Sequence, residues 1–289
     1  MTHPAVRDLF QSLNREDAFQ NVVARLLRDE PGPFALSGLT PAAKALYLVL
    51  LWQATERPIL VLTDTNQRAE PLAELTEAFF DLLIGRPEVG KPQLLPGYDV
   101  LPGQKLSPHN EISEQRAIAL LRLTAGRAPI TIAPVHSALL KMHPAAHYQR
   151  LALDLRVGEE LPLESIEAHL KSIGYERRDP VEMVGEYSIR GGILDVYGAE
   201  TAKPLRVEFF GDEIDSLRSF DPATQRSTTT IEAVTITPPA EVLPETAAAV
   251  AAVDMVSFTE IPNCIYSLAI FLTLSTAACV SASEVNIFP

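Results

Sequence analysis

Residues 181–226 read VEMVGEYSIRGGILDVYGAETAKPLRVEFFGDEIDSLRSFDPATQR, and the spacing of turn residues there leaves little choice of fold. Short runs rich in β-branched and aromatic residues are separated by Gly191-Gly192, by a loop at 198–204 and by Gly211-Asp212, the chemistry of turns between antiparallel strands. Strands are expected at 186–190, 193–197, 205–210 and 214–220, with a bulge or tight bend at Gly191-Gly192. Asp221-Pro222 is expected to end this meander, because proline cannot donate to a ladder.

The run 205–210 (LRVEFF) has two unlike faces. Successive side chains alternate, so Leu205, Val207 and Phe209 form a core face, while Arg206, Glu208 and Phe210 point the other way. Arg190 reaches the same second face if the strands pair suitably. Two readings are open: Phe210 covers a second small core beside solubilising arginines, or an aromatic ring flanked by guanidiniums anchors a protein interface.

The run GEYSIRGGILDVYG followed by PLRVEFFGDEIDSLRSFDPATQRS resembles the UvrA-interaction domain shared by UvrB and the bacterial transcription-repair coupling factors. The resemblance extends over roughly residues 30–244 and is strongest at 184–226. It implies that Arg190, Arg206 and Phe210 touch UvrA, since the family's S/T-x-R-G and R-x-D/E-F-F motifs fall on those positions. If their face is free, Arg206 and Phe210 act on binding and not on folding. The resemblance further implies a DNA-repair role in the cytoplasm, with RNA polymerase and double-stranded DNA as additional partners of full-length members. It implies no catalytic residue here and no cofactor or metal.

The rest of the chain sets limits on these readings. Its 289 residues suffice for about two domains. A net charge of −13 argues against a general nucleic-acid-binding surface. No metal site is expected from the six histidines. The first thirteen residues have no apolar core of a signal peptide.

Residues 1–33 read as a helical segment, with Phe19, Val22, Val23, Leu26 and Leu27 at helical spacing. Residues 34–144 alternate strands with helices and are expected to form a parallel-sheet α/β domain of the degenerate P-loop, RecA-like kind. PILVLT at 58–63 and PITIA at 129–133 have the continuous apolar character of strands buried on both faces. The strand-to-helix loop at 38–45 has Gly38 and Lys44 in the register of a phosphate-binding loop. However, Ala43 replaces its second glycine, Ala45 replaces the metal-binding hydroxyl, and Pro41 lacks an N–H, so ATP binding is not expected. Intact loops belong to UvrB and degenerate ones to the coupling factors. Asp99 and His109 resemble a catalytic pair, but no third group accompanies them, and they are taken as part of a structured loop.

Residues 145–232 are expected to form a small inserted α+β domain, a helix beginning near Pro162 plus the antiparallel meander. Residues 231–237 read as a strand leaving the meander, and 233–244 as a return to the first domain. The tail, 245–289, is atypical. From residue 227 onward there is no Lys or Arg, where a proportionate share would be about seven. Both cysteines, Cys264 and Cys279, lie there. Residues 265–282 are uncharged and near the minimum length of a membrane span, but they contain five serines and threonines and lack cationic flanks. The expectation is a UvrA-recruiting module of a coupling factor, without motor domains and with a tail of non-native character. A UvrB-like excision nuclease fragment and a membrane-anchored adaptor are the alternatives.

Overall fold

The computed structural model describes residues 4–28, 34–36, 38–85, 87–100, 108–140, 142–241, 268–274 and 283–288. They divide into two compact units, one of Met1–Tyr98, Arg122–Met142 and Val256–Pro289, the other of Asp99–Leu121 and His143–Met255.

The first unit is built on a mixed sheet. The strands Leu268–Leu274, Ile59–Thr63, Ile130–Pro134 and Gln93–Leu94 lie side by side in parallel. Ser283–Phe288 then turns back antiparallel against Leu268–Leu274 and pairs with Phe34–Leu36 at the edge. Ile59–Thr63 and Ile130–Pro134 are buried at every position, as continuous apolar runs require. Ile59, Val61, Ile130 and Ile132 enter one core with Val49, Trp52, Leu72 and Phe80 from the helices Pro41–Thr55 and Asn66–Leu83. The Trp52 and Phe80 rings meet at 5.0 Å. The amphipathic helix Asp17–Leu27 adds Phe19, Val22, Val23 and Leu26 to this core and leaves Leu27 exposed. The α/β character expected of residues 34–144 is present, but the parallel sheet draws a strand from the tail. Residues 268–274 are therefore a strand, while 265–267 and 275–282 lie outside the described residues. No helix among the described residues is long and apolar enough to cross a membrane.

The second unit holds a sheet in the order Ser227–Ile231, Glu213–Phe220, Leu205–Phe210, Ile193–Val196, Glu186–Arg190, Glu176–Arg177. Every pairing is antiparallel except the last. The helix Leu163–Ser172 lays Ile166 and Leu170 on one face, against Tyr187, Leu194, Val196, Leu205, Val207, Ile214 and Leu217. Arg190 pairs with Ile193 and Phe210 with Glu213, so two residues close each hairpin. The first of each two, Gly191 and Gly211, has a positive φ (61° and 66°), the position where a type II′ turn calls for glycine.

Two expectations for this unit are corrected. The meander does not stop at Asp221-Pro222. The chain makes a loop closed by Asp221 N–H to Arg226 O (3.0 Å) and Gln225 N–H to Asp221 O (2.7 Å), then adds Ser227–Ile231 as a further strand. Pro222 sits inside that loop and owes the ladder no donor. Residues 231–237 are not one strand either. Glu232 interrupts them, and Ala233–Ile236 pairs with Leu153–Arg156 in a separate two-stranded sheet. Residues 99–121, grouped by sequence with the 34–144 domain, cluster with the second unit. The fully buried Arg116 guanidinium is paired there with the Glu241 carboxylate, and Glu241 N–H donates to Ser113 O at 3.1 Å.

Candidate functional site

The strand register brings the residues of the outer sheet face into rows. Ser188, Asp195, Arg206, Arg218 and Thr230 follow one another across the strands. Arg190, Ile193, Glu208 and Ser216 form the next row, and Phe210 opposite Glu213 the one after. Arg190, Arg206 and Phe210 thus share one face. Arg190 and Phe210 also share one end of the sheet, where the Gly191-Gly192 and Gly211-Asp212 turns lie.

Asp195 organises the charges. Its side chain is 2% exposed in the middle of the apolar Ile193–Val196 strand. Arg206, directly opposite, grips it with two bonds, Nε to Oδ1 at 2.7 Å and Nη2 to Oδ2 at 2.8 Å. This fork geometry is the strongest arrangement open to a guanidinium and a carboxylate. Arg190 Nη2 adds a third bond to Oδ2 at 2.6 Å, and its Nη1 lies 3.5 Å from Asp179. Hydrogen bonding to Asp195 raises the Arg206 pKa above the ordinary guanidinium range, so this charge is permanent. Arg206 also donates to Gln225 O at 3.3 Å and lies 4.7 Å over the buried Phe220 ring.

This packing separates three residues that the motif groups together. The Arg206 side chain is only 16% exposed and holds a buried anion in place. The expectation that it stands on a free face, with no part in folding, is therefore corrected: desolvating Asp195 is tolerable only with its cation present. Arg190 is half-exposed and offers the outer side of its guanidinium. Phe210 is 81% exposed, with its ring outside both cores. Arg218 and Glu208 (3.4 Å) complete an alternation of charges on the face, and Ser216 Oγ donates to Glu208 at 2.8 Å. Asp195 was missed in the sequence. The available signal was an acidic residue inside ILDV, where alternation places it between two arginine-bearing strands.

Two other candidates carry less. His109 Nδ1 and the Asp99 carboxylate do bond, and that bond lowers the Asp99 pKa, but neither residue lies in a helix or strand. At the 38–45 loop, Thr40 caps the helix by accepting Ala43 N–H at 3.3 Å, so that amide already has an acceptor. Burial, then the nearby Arg68, lowers the Lys44 pKa. Among the described residues, no group of three or more His, Cys, Asp or Glu is placed to hold a metal ion.

Comparison with known sequences points to the same region. Residues 153–241 match the UvrB interaction domain family. The match opens on the first residue of the Leu153–Arg156 strand and closes on Glu241, the partner of Arg116. The chain is also similar to transcription-repair-coupling factors. It is 32% identical to that of Bacillus subtilis over 72% of this chain and 17% of the relative. For Mycobacterium tuberculosis the identity is 36% over 71% of this chain and 16% of the relative. For Escherichia coli it is 30% over 70% and 17%. The chain thus spans about a sixth of the length of these relatives.

Proposed function

We propose that this chain, a DNA-repair coupling-factor module that carries a UvrB interaction domain, recruits UvrA through the outer face of its antiparallel sheet. One observation carries the reading: Phe210 holds its ring in water, 81% exposed, at the same sheet end as a half-exposed arginine. An exposed aromatic beside a guanidinium, ringed by charged and polar groups, has the make-up of an interface hot spot. Arg206 contributes by holding Asp195, and with it Arg190, in position. Arg190 is the charge that meets UvrA carboxylates.

The test is a UvrA titration at two salt concentrations. Phe210→Ala is expected to weaken binding by about 2 kcal/mol, roughly thirtyfold, without unfolding the domain. Arg190→Ala is expected to weaken binding less and to flatten its salt dependence. Wild-type affinity in Phe210→Ala would remove the basis of the proposal.

The first unit is inferred to be a degenerate P-loop, RecA-like domain without nucleotide affinity. Pro41 has no N–H, Ala43 N–H is taken by Thr40, and Ala45 is fully buried where a metal-binding hydroxyl belongs. Calorimetric titration with Mg-ATP is expected to give no heat of binding; a micromolar Kd would overturn this. RNA polymerase and double-stranded DNA are partners of full-length members on this reading, and the cytoplasm is the compartment it implies.

A further inference from the structure

The row that holds Phe210 continues past Glu213. Just before the helix Leu163–Ser172, the chain runs alongside the start of Glu213–Phe220. Ile214 N–H donates to Glu159 O at 3.0 Å, and Leu161 N–H donates to Asp212 O at 2.8 Å. These two bonds bracket an antiparallel bridge between Glu160 and Glu213. A pair bracketed in this way is the narrow, non-hydrogen-bonded kind, whose side chains stand close together on one face. Glu213 is also directly opposite Phe210. Glu160, Glu213 and Phe210 therefore form one row across the sheet, on the same outer face as Arg190 and Arg206.

Two carboxylates set opposite each other repel, and like charges so placed cost stability. Asp195 and Glu208, on the same face, each have a cation: Arg206 and Arg190 hold the first, and Arg218 lies 3.4 Å from the second. Glu160 and Glu213 are both exposed, and neither is ion-paired among the described residues. Solvated acids scattered over a surface do not require this placement. A cation seated between the two relieves the repulsion of both.

With UvrA as the partner of this face, we infer that Glu160 and Glu213 receive a lysine or arginine of UvrA, beside the apolar pocket that takes Phe210. Arg190 lies two strands to one side of the Phe210 strand and Glu160 two strands to the other, about 10 Å in each direction. The docking face thus runs from positive through apolar to negative. The matching surface on the partner runs from acidic through apolar to basic. Docking the wrong way round would set like charges together. Phe210 supplies the anchor, and the two glutamates fix its orientation.

The test uses the full chain and UvrA, with stopped-flow association rates at low and high salt beside an equilibrium titration. Glu160→Gln and Glu213→Gln are each expected to lower affinity about threefold, and the double variant about tenfold, mainly through the association rate. The loss is expected to vanish at high salt. Glu213→Lys is expected to lose more than Glu213→Gln. Urea melts are expected to show the glutamine variants at least as stable as wild type, because a repulsion has been removed. Wild-type or tighter binding by the double glutamine variant overturns the proposal, as does a loss that persists at high salt. A double glutamine variant less stable than wild type would show that the pair serves the fold, and overturns it too. If Phe210→Ala loses affinity and the glutamine variants do not, only the acidic row falls. If the glutamine variants lose affinity and Phe210→Ala does not, the anchor falls and the acidic row stands.

Discussion

In the antiparallel sheet the strands follow one another in space nearly as they do in sequence, whereas the parallel sheet sets Leu268–Leu274, from the far end of the chain, beside Ile59–Thr63. The first arrangement closes by two two-residue hairpins and short loops, and gains its contacts with little loop entropy. The second must close a loop of more than half the chain before its central pairing contributes anything. The antiparallel unit is therefore the part able to hold its structure alone. The parallel unit depends on residues that look least like the rest of the chain.

The sharpest way to break this comparison is to remove residues 245–289. The first unit is expected to lose its cooperative unfolding transition, an effect on the order of 5 kcal/mol, the stability of a whole domain. Ile59–Thr63 would be left as an apolar edge. The second unit is expected to melt as before. Urea unfolding followed by hydrogen exchange distinguishes the two. An unchanged first unit would show that Leu268–Leu274 adds nothing to it.

Within the antiparallel sheet, one urea-melt series separates the two faces. Arg206→Ala is expected to cost about 2–4 kcal/mol, because Asp195 stays buried with only Arg190 to answer it. Val207→Ala is expected to cost about 1–3 kcal/mol through a core cavity. Phe210→Ala is expected to stay within about 0.5 kcal/mol. If Phe210→Ala proves the most damaging of the three, the faces are assigned backwards.

The smallest effect is a pH dependence of the second unit. Burial lowers the pKa of both His143 and His147, whose rings stack at 4.0 Å. Glu241 opposes the shift at His143, while Arg150 and the neighbouring His143 add to it at His147. With folded values below the ordinary 6.5, the unfolded chain takes up protons first as the pH falls. Stability is thus complete above the ordinary histidine pKa and declines as the pH drops through and below it. Melts of wild type and His147→Asn across this range are the check. The variant is expected to lose less on acidification, and identical slopes would remove these histidines from the account.

Much of the antiparallel unit was legible because its physics is local. The turn glycines, the alternation in 205–210 and the helix after Pro162 are each contained in a few residues. The strand Ser227–Ile231 was missed because STTTI has no apolar face to alternate. Asp195 was missed because alternation assigns a face but not a depth: the outer face was taken as wet, and Phe220 and Asp195 are buried on it. The pair Arg116–Glu241 joins residues 125 positions apart, and the strand at 268–274 is an uncharged run whose period favours neither helix nor strand. Nothing local in either announces its partner.

The clamp on Asp195 also bears on how such a sequence drifts. A lineage that loses Arg206 first keeps a buried anion with one of its three arginine bonds, and one that loses Asp195 first leaves two guanidiniums without the carboxylate they share. Neither single step is expected to be neutral, so the two positions are expected to be inherited together or replaced together. Phe210, four residues along the same strand, carries no such tether. It is free to change as fast as the surface it meets.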